Sequence, residues 1–170
     1  MSPRPETDPV EQSASLGLVV DVIQAGQTHA LRHAVLRPHQ PIQEMVYEGD
    51  DLPTTVHLGA LVGSGGSRRL VGVVTLSVAP MPDMPRLGDH RLRGMAVEPS
   101  EQGRGVGGRL IGEAFRHISR RGGQRIWCNA RVSAMGFYRR HGFAIHGDEF
   151  DLPGIGPHYV LYADVDPRLG

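Results

Sequence analysis

The chain has 170 residues, with 18 basic side chains, 18 acidic ones and nine histidines. That length suits one compact domain with a real core, and 39% hydrophobic with 21% charged residues are globular values. A single cysteine excludes a disulfide framework and an all-cysteine zinc site. Every basic residue is an arginine, so mechanisms that need a protein lysine are excluded: Schiff bases, a P-loop lysine, a lysine general base. No apolar run approaches the roughly 20 residues of a membrane span. Residues 1–16 are polar and proline-rich without an apolar core, so no signal peptide is expected and the expected compartment is the cytoplasm. The neutral total conceals a segregation. Residues 91–140 hold eleven arginines and three acids, while 1–90 and 141–170 are each net acidic. A basic middle suits a polyanionic ligand such as a nucleotide cofactor.

Residues 1–16 read as a disordered tail and 17–170 as a single domain. Residues 18–24 read as a first strand and 28–36 as a helix capped by Thr28, with Pro38 and Pro41 as its stop. Residues 39–54 are irregular and acidic. The segments 55–62 and 70–78 form a hairpin about the Gly-Ser turn between them. A proline-rich loop leads to a strand over 91–97. A helix over 105–121 buries Val106, Leu110, Ala114 and Ile118, spaced four apart, and stops at Gly122-Gly123. A short strand over 125–128 follows, then a helix over 133–141 capped by Ser133, and strands at 143–145 and 159–165 with a loop over 147–158 between them. The order predicts a mixed α/β (α+β) sheet.

The informative segment is the loop 98–104 and the helix start behind it. Gly103, Gly105, Gly107 and Gly108 stand within six positions, immediately before an amphipathic helix. Without Cβ atoms in the way a ligand can approach the main chain. The helix terminus adds unpaired N–H groups and partial positive charge, which together make a diphosphate cradle. Two cofactor readings compete. The stretch Gly103 to Gly108 matches G-x-G-x-x-G, the dinucleotide fingerprint of a Rossmann domain. Against it, five residues separate the fingerprint from its strand, and no acid stands between Glu113 and Asp148 to hold a ribose.

The second reading uses more of the chain. Gln102-Gly103-Arg104-Gly105-Val106-Gly107 fits Q/R-x-x-G-x-G/A and follows a strand ending Met95-Ala96-Val97. After the helix come Asn129 and then Phe137-Tyr138-Arg139-Arg140-His141-Gly142-Phe143. This combination resembles the GNAT superfamily of acyl-CoA-dependent N-acetyltransferases, in a bacterial subgroup with undefined acceptors. The resemblance implies a mostly antiparallel sheet of six to seven strands, flanked by helices and splayed at the cofactor site. It implies direct acetyl transfer from acetyl-CoA to a primary amine of a small molecule or peptide N-terminus. Gln102, Gly103, Arg104, Gly105, Val106, Gly107 and Gly108 would hold the pyrophosphate, with Arg109 near an adenosine phosphate. Met95, Ala96 and Val97 would pair with the pantetheine arm, and Asn129 would contact the cofactor where the next strand ends. Tyr138 matches the tyrosine that protonates the leaving thiolate.

For the general base, residues 92–97 contain no acid where many relatives have a glutamate. His158 leads the candidates, ahead of Glu149, His57 and Glu98. Cys128 reads as a core thiol. Glu44, Glu48, Asp50, Asp51, Asp148, Glu149 and Asp151 suggest an acidic rim for a cationic acceptor. The nine histidines show no ligand spacing, so no metal is expected. Nor is a nucleic-acid or membrane partner, while a homodimer fits the family. The alternatives kept open are a non-catalytic acyl-CoA sensor, an NADP-binding Rossmann domain and an arginine-rich nucleic-acid binder.

Overall fold

The computed structural model describes residues 17–170, so the tail expected over 1–16 lies outside the described residues. Seven strands form one sheet: β1 Val19–Ile23, β2 Val56–Val62, β3 Arg69–Val78, β4 Asp89–Val97, β5 Arg125–Arg131, β6 Ala144–Leu152 and β7 Gly156–Asp164. Their order across the sheet is β1-β2-β3-β4-β5-β7-β6. β1 runs antiparallel to β2, and β7 runs antiparallel to both β5 and β6. β4 and β5 are parallel, with Arg91 opposite Trp127. Parallel neighbours need a crossover, and the helix between them supplies it. A doubly wound parallel sheet, which the Rossmann reading requires, is therefore not what this sequence forms. Among the described residues no helix is long and apolar enough to cross a membrane.

The described residues form three α-helical segments: α1 His29–Leu31, α2 Val106–Arg120 and α3 Met135–Arg140. α1 is a single turn between a 3₁₀ turn at Ala25–Thr28 and a π turn at Arg32–Leu36. The expected cap is corrected here: the Thr28 hydroxyl donates back to the Ala25 carbonyl, and Gln24 with Gln27 forms the capping box instead. Ser133 likewise caps nothing. It sits inside a 3₁₀ turn, Val132–Ala134, that precedes α3.

α2 carries the expected buried stripe, with Val106, Leu110, Ala114 and Ile118 all buried. It ends in a Schellman motif. The Gly122 N–H donates to Ser119 O and the Gly123 N–H to Ile118 O, both 2.9 Å, with Gly122 at φ +71°.

Packing divides the described chain into two compact units. The first comprises the described residues through Glu48 together with His57–Val74 and Gly94–Leu110; Met45, Leu58, Ala60 and Val71 are buried in it. The second comprises Gly49–Val56, Thr75–Arg93 and Ile111–Gly170, with Leu76, Leu92, Ile126 and Leu161 buried.

The largest departure from expectation is at 147–158. A hairpin of β6 and β7 occupies that stretch, with a turn over 153–155 and a register shift between His146 and Phe150. Gly147, at φ +73°, lies in the irregular stretch. The segment is polar because β6 is the sheet's outer strand, where backbone pairing rather than apolar alternation defines it. β5 also runs three residues beyond its expected end, to Arg131.

Candidate functional site

In the first unit, β4 leads into a 3₁₀ turn, Pro99–Glu101, and then α2. The Glu98 N–H donates to Val71 O at 2.8 Å, which fixes the exit of the chain from β4. The Gln102 side chain folds back, its Nε2 donating to Val97 O at 3.0 Å. Its own N–H points at Pro99 O, so Gln102 braces the loop rather than opening it. Gly103 and Gly105 have φ of +75° and +82°, conformations that L side chains rarely adopt. A Cβ on Gly103 would meet nothing within 4 Å, so the backbone conformation alone demands glycine there. On β3 a Cβ at Gly72 would come within 3.0 Å of Leu110 and 3.1 Å of Val106, so that glycine lets the first turns of α2 pack close. The N–H groups opening a helix have no intrahelical partner, and these belong to the glycine-rich stretch.

The acids of the loop are committed. Arg69 of β3 pairs with Glu98 and with Glu101, the latter at 3.0 Å, and Arg104 reaches Glu101 at 3.4 Å. Glu98 is thus a clamp on the loop. Upstream, Gly94 has φ +60° and lies over the buried Arg32, whose Nη1 donates to Met45 O at 2.8 Å and whose guanidinium stacks 4.0 Å from the Tyr47 ring. A Cβ on Gly94 would come within 2.8 Å of Arg32 Nε. This packing positions Met95, Ala96 and Val97.

In the second unit, Tyr138 is buried on α3. The motif around it has a local physical meaning. The Gly142 N–H donates to Arg139 O and the Phe143 N–H to Tyr138 O, both 3.1 Å, with Gly142 at φ +88°. This is a second Schellman motif, and its characteristic apolar contact is the Tyr138–Phe143 pair, edge-on at 5.2 Å. Phe137 meets Tyr138 at the same distance. Burial pushes the Tyr138 phenol well above its ordinary value, helped by Cys128. It is protonated at neutral pH, as an ordinary phenol is, and burial makes it a weaker acid. The Cys128 thiol is buried too, and burial raises it to about 12, which makes it an inert core thiol.

β5 alternates between two faces. Ile126, Cys128 and Ala130 are buried on one face, while Arg125, Trp127, Asn129 and Arg131 lie on the other. Register places Val160 opposite Asn129 and His158 opposite Arg131. His158 is buried, its Nδ1 2.7 Å from Gly156 O and its ring 6.0 Å from Phe150. A carbonyl only accepts, so Nδ1 carries the proton and the neutral ring keeps its lone pair on Nε2.

Two arginine sites on this face were not singled out from the sequence. At one end the buried Asp89 takes both Arg125 Nε and Nη2 at 2.8 Å, and its Oδ2 accepts the N–H of Met81 and of Arg86. Trp127 Nε1 donates to Ala79 O at 2.9 Å beside it. Further along β4, Arg93 faces the buried Asp50 at 3.7 Å, and the Arg91 guanidinium lies 5.2 Å from the Trp127 ring centre. The signal was present as the alternation Arg91-Leu92-Arg93 on a strand. Asp50, expected in an exposed acidic rim, is buried at this site, whereas Asp148, Glu149 and Asp151 are exposed on β6. His57 is buried on β2, opposite Ile23. Among the described residues no group of three or more metal-ligating side chains is gathered.

The loop and the end of β4 thus belong to one unit, and Asn129, Tyr138 and His158 to the other. Residues 28–143 match the acetyltransferase (GNAT) family. The uncharacterized N-acetyltransferase YitI of Bacillus subtilis (strain 168) is 34% identical over 145 residues, covering 85% of this chain and 95% of YitI. Two solved structures share the fold at low identity. The ribosomal-protein-S18-alanine N-acetyltransferase of Escherichia coli has a TM-score of 0.67 at 12% identity, over 88% of this chain and 94% of its own. A chain of the NatC complex bound to Gag peptide and CoA has a TM-score of 0.70 at 19% identity, over 89% and 100%.

Proposed function

The chain belongs to the acetyltransferase (GNAT) family, and from that membership we propose that it transfers the acetyl group of acetyl-CoA directly to a primary amine of a small molecule or a peptide N-terminus. The observation that carries the cofactor assignment is the loop itself: two glycines with positive φ deliver the chain from β4 into the unpaired N–H groups of α2. The residues fit the group. Gly103 to Gly108 offer the amides for a diphosphate, Arg104 adds a cation beside them, and Gln102 holds the loop's shape. Met95 to Val97 offer strand backbone to an extended pantetheine arm, with Asn129 as a polar contact.

Acetyl-CoA supplies an activated thioester. The amine lone pair forms the new C–N bond as the C–S bond breaks, the thiolate receives the Tyr138 phenol proton, and the nitrogen gives up a proton. The support for this role is the place of Tyr138 in the F-Y-x-x-x-G-F stretch, and a phenol is protonated at neutral pH. His158 is the leading receiver of the amine proton, through Nε2, since its Nδ1 is engaged by Gly156 O. Peptide N-termini enter the acceptor class by analogy with the NatC complex, whose structure holds a peptide. The test is mass detection of N-acetylated product across an amine panel, with Tyr138→Phe as control. Product that forms at the wild-type rate in Tyr138→Phe would remove the acid assignment, and no product with any amine would remove the transfer reading.

A further inference from the structure

Gly94 interrupts β4 with φ +60°, immediately before the residues proposed to hold the pantetheine arm. A glycine inside a strand marks a place where the backbone bends or is closely approached. Here two side chains make the approach. A Cβ at 94 would lie 2.8 Å from Arg32 Nε and 3.0 Å from Tyr47 Cε2, so these two occupy the space a larger residue would need. Arg32 is fully buried, its Nη1 donates to Met45 O at 2.8 Å, and its Cζ lies 4.0 Å from the centre of the Tyr47 ring. It also opens the π turn Arg32–Leu36, an uncommon geometry that recurs at functional sites. One buried guanidinium thus joins three separate stretches of the first unit: the first helical segment, the 3₁₀ turn Ile42–Met45 and the end of β4. A buried charge is weak evidence for stability, because desolvation offsets what its contacts return. What Arg32 supplies is a fixed position.

The diphosphate cradle follows β4 in the chain, so an arm leaving it along Val97, Ala96 and Met95 runs toward Gly94 and carries its thioester to that end. All of these residues belong to the first unit. We propose that Arg32 and Tyr47 are positioning residues for the thioester end of the pantetheine arm: by packing on Gly94 they hold the backbone of Met95–Val97 in the path that the arm follows. This deepens the cofactor assignment and rests on it. Neither residue belongs to the stretch Gln102 to Gly108, so their loss acts on the arm and not on the diphosphate.

The experiment compares two ligands by calorimetry: CoA, and ADP, which carries the adenosine and diphosphate of CoA without its arm. Each is titrated into wild type, Arg32→Met and Tyr47→Leu, and thermal unfolding checks that each variant is folded. Both variants should lose about tenfold in CoA affinity, the worth of one or two backbone hydrogen bonds, while binding ADP as wild type does. A purely structural pair would weaken both ligands equally, and that result would overturn the proposal. So would CoA affinity that stays at the wild-type value in both variants. If Arg32→Met does not fold, Tyr47→Leu decides, because Tyr47 is only half-buried. If Tyr47→Leu does not fold either, the pair is core and the positioning role is refuted. If wild type binds CoA no more tightly than ADP, the proposal fails and the diphosphate assignment stands. If wild type binds neither ligand, the cofactor assignment falls and the proposal with it.

Discussion

Two arginines on one face of β5 and β4 meet opposite fates. Arg125 is buried against a bidentate carboxylate that also accepts two backbone N–H groups, and only its Nη1 lacks a hydrogen bond. Arg91, opposite Trp127 in register, has a ring beneath it and another cation beside it. The first site is electrically closed and joins the segment before β4 to β5. Two buried or half-buried arginines on neighbouring strands are thus held in different ways, one by a carboxylate and one by a ring.

The comparison breaks first at its closed end. Asp89→Asn strands the Arg125 charge and should cost about 3–5 kcal/mol in a denaturant titration. The pH dependence follows. Burial alone would raise the Asp89 carboxyl, but the Arg125 hydrogen bonds and the Met81 and Arg86 N–H groups hold it below its ordinary value. Its contribution is therefore complete above about pH 4, the unfolded value, and is lost as pH falls through the folded one. Wild type should lose stability steeply on that acid limb, and Asp89→Asn should flatten it.

Next in size comes the residue proposed as the acid. Tyr138→Phe keeps the ring packing against Phe143 and should lower kcat by about 10²- to 10⁴-fold, read under saturating acetyl-CoA. Gly105→Ala places a Cβ at φ +82° and should cost about 1–2 kcal/mol of stability, with a weaker apparent affinity for CoA in the same preparation. The smallest thermodynamic effect belongs to the ring-held end. Arg91→Gln should change stability by no more than about 0.5–1 kcal/mol. A loss as large as that of Asp89→Asn would erase the distinction between the two sites.

Much of this was legible in the sequence, for physical reasons. The stripe of α2 and its Gly122-Gly123 stop obey helical spacing and the left-handed conformation that glycine permits. The loop could be read because its conformation and its proposed function reside in backbone, and glycine spacing is how a sequence displays backbone. The F-Y-x-x-x-G-F stretch was recognised by resemblance, and the fold explains its spacing as a helix end in which Tyr138 and Phe143 touch. The β6–β7 hairpin was missed because an outer strand with a bulge shows no alternation. The Arg91 site was missed because its meaning depends on Trp127 and Asp50, 36 residues downstream and 41 upstream in the chain. Only the register of β4 with β5 brings the ring under the guanidinium. The expected caps at Thr28 and Ser133 failed because both residues lie within 3₁₀ turns.

The central claim is that the loop between β4 and α2 binds the diphosphate of acetyl-CoA. Its most direct test is thermal unfolding with acetyl-CoA, CoA, NADPH and NAD, each well above its expected Kd. A ligand at 100 times its Kd adds about 2.7 kcal/mol, which raises Tm by several degrees. Stabilisation by the two CoA species alone is the predicted result. Stabilisation by NADPH alone, or by none of the four, would contradict it.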